Sequence, residues 1–426
     1  MMSETAPPVP SNTPTLPSPI EGEGEKRRTM ATNPADPIVI LSYARTPMGS
    51  FQGALSPLSA TELGATAVKA AVDRAGISGE QVDKVFMGNV LSAGLGQAPA
   101  RQAALGAGLP KSAEAVTINK VCGSGMQAAI FAHDMLDAGS ADLIVAGGME
   151  SMTNAPYLSK KYRSGARIGH DTVYDHMMLD GLEDAYEPGR AMGTFAEDAA
   201  REYQFTREQQ DQFAIESLRR ANDAITSGKF DKEITPVTVV TRKGEVTVDR
   251  DEQPGKGNPE KIPQLRAAFA KDGTITAATS SSISDGAAAL VLTRQSVADE
   301  LGKQPIARVI AHAAAAQAPE KFTSAPVPAI EKVLKKAGWS VDDVDLWEVN
   351  EAFACVAMIA MRDIGIPHEK INVNGGATAL GHPIGASGAR IVTTLIAALQ
   401  DRGLKRGIAS LCIGGGEATA IAVELV

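Results

Sequence analysis

Short apolar runs alternate along this chain with segments of helical periodicity. Residues 37–43 form a continuous apolar run typical of a buried strand, and the apolar positions of 61–75 recur with the spacing of an amphipathic helix that ends at Gly76. Residues 82–90 predict a second strand. Because strands alternate with helices, the pattern predicts an α/β fold built on a central sheet.

The pattern also occurs twice along the chain. Residues 75–83 recur as residues 337–345 at a constant offset of 262 positions (337 − 75), and in both copies a helix precedes and a strand follows. Residues 142–150 resemble residues 407–417, because each is a strand that runs into consecutive glycines with a glutamate close behind. We therefore predict that the chain contains two duplicated halves.

The first half carries an insertion. In the second half the strand 418–425 follows the glycines at once, whereas the comparable strand 287–293 comes only after a long interval. That interval is rich in loops, and loops on a rigid scaffold commonly form the binding surface. The predicted organisation is a Pro-rich tail (1–35), a first half (36–151 and 279–298), an inserted loop domain (152–278) and a second half (299–426).

The first 35 residues differ in composition from the rest. Prolines alternate there with Ser, Thr and small residues, and a short basic run follows at 26–28. Such a segment cannot bury apolar area, so we expect it to be disordered. It has neither the Arg-rich, acid-poor character of a mitochondrial presequence nor the apolar core of a signal peptide. We therefore expect a cytoplasmic protein.

Composition and charge restrict the choice of partners. The chain has 426 residues, of which 44% are apolar and 21% charged, and its net charge is −9. An acidic chain of this kind is not expected to bind nucleic acid. No apolar run approaches the ~20 residues needed to span a bilayer, so no membrane partner is expected. Three cysteines in so long a chain argue against a disulfide framework and for a reducing compartment.

Candidate chemistry lies in two glycine-rich turns that each carry a cysteine. Cys122 follows the strand pattern of 115–121 and precedes a helix predicted to start near Gly125, whereas Cys412 lies just before the glycines at 414–416. A thiol acts as nucleophile or base only as the thiolate. Backbone N–H groups at a helix start are expected to lower the pKa of Cys122 and to hold an oxyanion. The alternative for Cys122 is a buried packing cysteine.

A third glycine-rich segment carries a histidine. His382 lies in residues 374–388, where five glycines predict tight turns and close backbone approach. It is a candidate base for Cys122. Asn350 ends a strand of the second half and is a candidate for orienting a water or a carbonyl. The alternative is that Asn350 and Glu351 only cap a helix.

The sequence predicts no metal site. Neither CxxC nor HExxH occurs, His133 lies within a predicted helix, and neither His312 nor His368 has partners at metal-binding spacing. Cys355 falls in an apolar helical pattern and is assigned to the core.

Together, the glycine-rich segments resemble the motifs of the thiolase family. Residues 119–125 resemble the nucleophile segment of that family, 350–353 its second motif, 381–383 its third and 412–416 its fourth. The similarity covers about 38–426. It implies two five-stranded α/β halves related by duplication, with a loop domain inserted in the first, which agrees with the repeat in the sequence.

The resemblance also implies a reaction. We expect a reversible Claisen condensation of two acetyl-CoA to acetoacetyl-CoA and CoA, in which Cys122 is acylated with His382 as its base. Cys412 is then expected to take a proton from the methyl group of the second acetyl-CoA. Asn350 is expected to hold a water that, with His382, stabilises the enolate oxygen. The N–H groups of Cys122 and Gly414 are expected to form a second oxyanion site.

The resemblance assigns substrate contacts as well, with two departures from the family pattern. Ser281 aligns with a serine that contacts the pantetheine arm, although the residues beside it differ from the usual motif. Met192 is expected to touch the substrate, but Ala191 stands where members specific for acetoacetyl-CoA often have His. Phe353 is expected to line the substrate site. CoA thioesters are the expected substrates, no cofactor is expected, and a homo-oligomer, either a dimer or a tetramer, is implied.

Three alternative functions follow from these observations. Ala191 leaves open a 3-ketoacyl-CoA thiolase of broader chain length. Decarboxylating ketoacyl synthases share the duplicated fold but lack a cysteine in the last glycine-rich turn, so Cys412 argues against them. A catalytically inactive scaffold of the same fold is disfavoured, because the candidate nucleophile, both candidate bases and Asn350 are all present.

Overall fold

The computed structural model describes residues 36–426, so the predicted disordered tail lies outside the described residues. Fourteen strands occur in this part of the chain. They are β1 (Ile38–Arg45), β2 (Gly49–Ser50), β3 (Lys84–Gly88), β4 (Glu114–Ile118), β5 (Leu143–Ser151), β6 (Tyr157–Ser159), β7 (Val173–Asp175), β8 (Val237–Thr241), β9 (Gly244–Val248), β10 (Ser284–Arg294), β11 (Ala307–Ala316), β12 (Leu346–Val349), β13 (Arg406–Ile413) and β14 (Glu417–Leu425).

Ten α-helices accompany these strands between residues 36 and 426. None of them combines the length and apolar character needed to cross a membrane. They are α1 (Ala60–Ala75), α2 (Pro99–Gly106), α3 (Ser124–Asp137), α4 (Met192–Glu202), α5 (Arg207–Thr226), α6 (Gln295–Glu300), α7 (Pro326–Ala337), α8 (Ala354–Ala360), α9 (Ala377–Leu380) and α10 (Ser387–Arg402).

One large sheet contains ten of the strands and confirms the predicted α/β class. Its order is β12-β13-β14-β11-β1-β10-β5-β3-β4, with β2 paired to β10 off this path. Strand β1 joins the two halves through a short antiparallel pairing with β11. The innermost strands are antiparallel, and the outer pairs β5-β3, β3-β4 and β12-β13 are parallel.

The repeat in the sequence is also a repeat in structure. Helices α1 and α7 both end at a glycine in the left-handed conformation, Gly76 at φ 63° and Gly338 at φ 69°. Asp83 accepts hydrogen bonds from the backbone N–H groups of residues 142 and 143, and Asp345 accepts the equivalent pair from residues 405 and 406. Because these aspartates are 262 positions apart, each half uses the same contact to bring its strands together.

The two halves differ at their outer edges. Strand β4 completes the first half, but its counterpart in the second half is reduced to a single parallel bridge between Trp347 and Ile371. Asn372 covers the same edge of β12, since its side chain both donates to the carbonyl and accepts from the N–H of Val349 at 2.9 Å. The backbone of residue 372 also donates to Trp347. The edge of the second half is therefore closed by a loop.

Alternate side chains of the strands separate the molecule into layers. On β5, Ile144 and Ala146 pack into a central core with α3 and α10, whereas Leu143 and Val145 pack outward with α1. The second half repeats this arrangement, with its outward face packed against α7 and α8. Helices α3 and α10 are thus enclosed between the two halves of the sheet, and the segments that precede them meet.

A buried ion-pair network fastens the insertion to the first half. Arg45 at the end of β1 donates from Nε to Glu233 at 2.7 Å and from both terminal nitrogens to Asp251 at 2.6 and 2.8 Å. The side chains of Arg45 and Glu233 are fully buried. Removing one member of such a network leaves an uncompensated buried charge, which is far more costly than losing an exposed pair.

We expect Arg45→Ala to lower the free energy of unfolding by about 3–5 kcal/mol, because Glu233 and Asp251 lose their common cation. Lys69→Ala is the matched control, since Lys69 and Asp73 form an exposed pair on α1. That change should cost less than about 1 kcal/mol. Urea unfolding at equal protein concentration compares the two variants, and equal midpoints would contradict the assignment.

Candidate active site

Cys122 lies in a strained turn between β4 and α3. Val121 adopts a left-handed conformation with φ 45°, which is rare for a β-branched residue. Ser124 stabilises the turn, because its Oγ accepts from the N–H of Lys120 at 2.8 Å and donates to the carbonyl of Val121 at 2.6 Å. Strain held by its surroundings in this way is typical of functional sites.

The fourth glycine-rich turn lies directly against Cys122. A methyl group on Gly123 would come within 2.3 Å of Ile413, and one on Gly414 would meet Val121 at 3.6 Å. The backbone N–H groups of Gly414 and of Cys122 lie close enough to the Cys122 sulfur to lower the pKa of its thiol. Two segments almost three hundred residues apart in sequence therefore converge on one sulfur atom.

Backbone packing also brings the His382 turn to the start of α3. A methyl group on Gly125 would lie 3.0 Å from the carbonyl oxygen of Gly385, and one on Gly388 would lie 2.3 Å from the backbone nitrogen of Met126. Ile384 packs in the same apolar cluster as Cys122. The glycines of this segment thus allow the turn that carries His382 to pack directly against the start of α3.

The thiol of Cys122 is not ionised by its position before a helix. Burial raises its pKa to about 11, and the N–H groups of Gly414 and Cys122 offset only part of this effect. Backbone N–H groups lower the pKa in the expected direction, but burial is the larger effect and the net shift is upward. Cys122 needs a base at the moment of attack.

Cys412 lies at the end of β13 and is fully buried. Burial raises its pKa well above the ordinary value, and the neighbouring sulfurs of Cys122 and Cys355 raise it further. The packing of Gly123 against Ile413 brings the segments that carry Cys122 and Cys412 together. All three cysteines are free, and Cys355 is buried in the second half as the sequence predicts.

The hydrogen bonds around His382 fix its tautomer. Ser387 donates its hydroxyl hydrogen to the carbonyl of Pro383 at 2.9 Å, so its oxygen accepts from the Nδ1–H of His382 at 2.5 Å. The Nε2 of His382 is then the atom with a free lone pair, and it is buried without a partner among residues 36–426. An imidazole in this state is ready to accept a proton.

The electrostatics of His382 favour the neutral form. Burial, followed by the positive charge of Arg390, lowers its pKa to about 3. The ring is therefore neutral at physiological pH. Neutral imidazole and neutral thiol are the ground state of the pair, so the ions form only when a proton moves between them.

Asn350 presents a free amide donor. Its Oδ1 accepts from Arg390 at 3.5 Å, while its Nδ2 is buried with no partner in the described part of the chain. The alternative that Asn350 and Glu351 cap a helix is wrong. Helix α8 starts after Phe353, and Glu351 instead accepts hydrogen bonds from Ser217, Asn372 and Thr378.

The expected substrate residues flank these groups. Met192 begins α4, with its Cε 3.6 Å from a methyl group placed on Gly414. Ser281 is half-buried, and its N–H donates to the carbonyl of Ala352 at 2.9 Å. The ring of Phe353 is 8% exposed and packs edge-on against Phe269. These contacts place all three residues close to the segments that carry the catalytic candidates.

Glu150 is a buried carboxylate that motif reasoning missed. Its Oε1 accepts from the side chain of Asn89 at 2.7 Å and the N–H of Leu91 at 3.1 Å. Its Oε2 accepts from the N–H groups of Val90 at 3.0 Å and Gly385 at 2.9 Å. Burial raises its pKa to about 7. Glu150 therefore ties the His382 turn to the loop after β3, and it is a positioning residue.

The signal for Glu150 was present in the repeat. It occupies the glutamate position of the first glycine-glutamate segment, and Glu417 occupies that of the second. Glu417 is partly exposed and pairs with Lys120. Ser387 and Arg390 have no comparable signal, because their roles depend on contacts that only the folded chain creates.

The arrangement can carry out thiol-dependent acyl transfer. It supplies one thiol with two backbone N–H groups close to its sulfur, a second buried thiol, a neutral imidazole with a free nitrogen, and a free amide donor.

We expect alkylation of Cys122 by iodoacetamide to accelerate about tenfold per unit from about pH 7 to about pH 10. With a thiol pKa of about 11, the thiolate fraction grows throughout this range, while His382 with a pKa of about 3 stays neutral. Mass spectrometry of the Cys122 peptide measures the rate, with the buried Cys355 as internal control. A rate independent of pH would instead indicate a preformed thiolate–imidazolium pair.

We expect Glu150→Gln to lower kcat by about 10–100-fold with a smaller effect on KM. Whichever way the amide turns, its NH2 group faces two hydrogen-bond donors, so the His382 turn shifts and misaligns the base. Glu114→Gln, on the exposed end of β4, is the control and should keep wild-type kcat. If Glu150→Gln loses thermal stability but keeps the wild-type kcat, the role of Glu150 is merely structural.

Comparison with known proteins agrees with this geometry. The N-terminal domain model of thiolase matches residues 38–296, and the C-terminal domain model of thiolase matches residues 303–425. The chain is 50% identical over 388 residues to an acetyl-CoA acetyltransferase of Escherichia coli, covering 91% of this chain and 98% of that protein. It is 49% identical over 400 residues to a probable acetyl-CoA acetyltransferase of Dictyostelium discoideum, covering 94% and 96%.

Solved structures give the same result. A thiolase of Ascaris suum in complex with coenzyme A superposes with a TM-score of 0.87 at 43% identity, covering 92% of this chain and all of that one. An acetyl-CoA acetyltransferase of Bacillus anthracis gives a TM-score of 0.89 at 40% identity, covering 92% and 99%. Both domain models, the duplicated fold and the converging motifs agree, and the chain belongs to the thiolase family.

Proposed function

We propose that this protein is an acyltransferase that condenses two acetyl-CoA to acetoacetyl-CoA and CoA, reversibly, through an acyl-cysteine. The observation that carries the proposal is the convergence of the Gly414 N–H on the sulfur of Cys122, because it joins the nucleophile to the turn that bears Cys412. The names of the relatives, acetyl-CoA acetyltransferases at 49–50% identity, support the acetyl group as the one transferred.

In the first step, the Cys122 thiol passes its proton to Nε2 of His382 as the sulfur attacks the thioester carbonyl. The C–S bond to CoA breaks, and the leaving thiolate takes the proton from His382. The raised pKa of the thiol and the lowered pKa of the imidazole keep both groups neutral until substrate is present. Such timing limits side reactions of a free thiolate.

In the second step, Cys412 passes its own proton to His382 and, as thiolate, removes a proton from the methyl group of a second acetyl-CoA. The resulting enolate attacks the carbonyl of the acyl group on Cys122, the C–S bond to Cys122 breaks to give acetoacetyl-CoA, and the Cys122 thiolate takes the proton back from His382. A base of raised pKa suits a weakly acidic C–H, and the burial of Cys412 supplies that pKa.

Charge that develops on the two thioester oxygens needs donors. The N–H groups of Cys122 and Gly414, which lower the pKa of the Cys122 thiol, are assigned to the oxyanion of the acyl group bound there. Asn350, with its unpartnered Nδ2, and His382 are assigned to a water that stabilises the enolate oxygen. Ser281, Met192 and Phe353 are assigned to the pantetheine arm and acyl group.

The proposal includes its ligands and assembly. The CoA thioesters are substrates, and the residues above carry out every step without a further cofactor.

A homo-oligomer is supported by strand β4, which lies at the open edge of the sheet with Val116 half-exposed, and by the exposed Phe131 of α3. A cytoplasmic location is supported by the three unpaired thiols.

The decisive experiment measures CoA-dependent cleavage of 3-ketoacyl-CoA substrates from acetoacetyl-CoA to long chains. We expect activity centred on acetoacetyl-CoA, and loss of at least about 10⁴-fold in kcat with Cys122→Ala, because the nucleophile is gone. Cys355→Ala, a cysteine outside the reacting groups, is the control and should retain activity.

Two results would change the conclusion. Activity that rises with chain length would make the protein a 3-ketoacyl-CoA thiolase of broader specificity, in keeping with Ala191 at the start of α4. Wild-type protein that cleaves none of the substrates would overturn the acyltransferase proposal itself.

A further inference from the structure

A second group of chemically competent side chains lies away from the thiols. His133 and Asp134 are near the end of α3, in the first half, and His312 is on β11, in the second half. Nδ1 of His133 lies 3.0 Å and Nε2 of His312 lies 2.8 Å from the same oxygen, Oδ1 of Asp134. The spacing in sequence gave no sign of this group, because 178 positions separate Asp134 from His312.

The geometry is close to that of a tetrahedral metal site. One ligand atom from each residue falls within 4.8 Å of the others. Nitrogen and oxygen ligands at about 2.0–2.1 Å from a tetrahedral ion lie about 3.3 Å apart, so an opening of a few tenths of an ångström would admit the ion. The two imidazole rings meet nearly edge to face, at 74° with centroids 4.7 Å apart, so their nitrogens converge without stacking.

The surroundings allow an ion to enter and to stay. The side chain of His133 is 4% exposed, His312 is 18% exposed and Asp134 is 56% exposed. One face of the group is therefore anchored in the core while the other is open to solvent, which leaves a fourth position for water. Asp134 contributes a carboxylate oxygen that lies within 3.0 Å of both imidazole nitrogens.

We propose that His133, Asp134 and His312 bind one divalent transition-metal ion of the zinc type. Two imidazoles and one carboxylate match the ligand preference of Zn²⁺ and of Co²⁺. They do not match Ca²⁺ or Mg²⁺, which prefer sites made of oxygen ligands. The ion replaces the two hydrogen bonds to Asp134, and each ring hydrogen moves to the opposite nitrogen.

Two features limit the affinity of the site. Nε2 of His133 is buried without a hydrogen-bond partner within residues 36–426, so it offers no support from outside the ligand shell. The ammonium group of Lys336 donates to the backbone carbonyl of His312 at 2.9 Å and adds a positive charge nearby. Binding should therefore be weaker than at a closed structural zinc site.

The position gives the ion a mechanical role distinct from the acyl transfer chemistry. Helix α3 carries Cys122 just before its first turn, and the proposed site holds the opposite end of the same helix against β11. A bound ion would crosslink the two halves of the chain through three side chains. Loss of the ion should leave the thiols in place but loosen the C-terminal end of α3.

The test is a titration of the full-length, tag-free protein with Zn²⁺ by equilibrium dialysis and with Co²⁺ by visible absorption, after alkylation of the reactive thiols with iodoacetamide. We expect one ion per chain, and absorption bands of Co²⁺ without a sulfur-to-cobalt charge-transfer band. His312→Ala should weaken binding at least about 100-fold. His170→Ala, an exposed histidine of the insertion, is the matched control and should bind as the wild type does.

Three results would overturn the proposal: no saturable binding, equal affinity in wild type and His312→Ala, or a sulfur band that places the ion on cysteine. Asp134→Asn provides a second variant if His312→Ala does not fold, since Asp134 is largely exposed and its amide analogue keeps the side-chain shape. It should also lose the ion, with its far-UV circular dichroism unchanged.

Discussion

Direct contact of backbone with backbone between the start of α3 and the turn before α10 is the constraint on which the active site depends. A methyl group on Gly148 would lie 2.1 Å from the carbonyl oxygen of Gly385, and one on Gly88 would lie 2.6 Å from the backbone nitrogen of Gly125. No side chain fits between these segments. Three segments must therefore pack with their backbones in direct contact: the strands of the first half, the helix that follows Cys122 and the turn that carries His382. That packing sets how closely the turns of Cys122 and His382 approach each other.

Burial at this junction sets the chemistry. Taking water away raises the pKa values of both thiols and of Glu150 and lowers that of His382, so every reacting group is neutral at rest. The backbone N–H groups at the helix start, on which the sequence-based prediction relied, lower the pKa of Cys122 by less than burial raises it. A site of this kind is unreactive at rest, because the thiolate and the imidazolium form only when substrate is bound and the proton moves.

Local patterns predicted those parts of the molecule that depend on local physics. Helix α1 with its glycine cap, strand β1 and the duplicated halves follow from periodicity and from an offset repeated along the chain. The resemblance to a family supplied the candidate residues, and the structure brings Cys122, Cys412 and Gly414 together. The contacts of Glu150 with Gly385 and of His312 with Asp134 escaped prediction, since their partners are far away in sequence. Ser387 escaped although its partners lie within five positions, because its contact with His382 depends on how the turn folds. The reduced last strand of the second half escaped for the same reason.

That reduced strand has a consequence for how copies of the chain can meet. A sheet with two open edges can add neighbours at both ends and grow into a filament, whereas here Asn372 and the bridge at Ile371 seal the edge of β12 and leave β4 as the free one. Association through a single edge is self-limiting, because two copies that pair edge to edge by a two-fold axis would use up the one open edge of this ten-stranded sheet. The shortened second half thus prevents the sheet from being extended by another chain at the β12 edge.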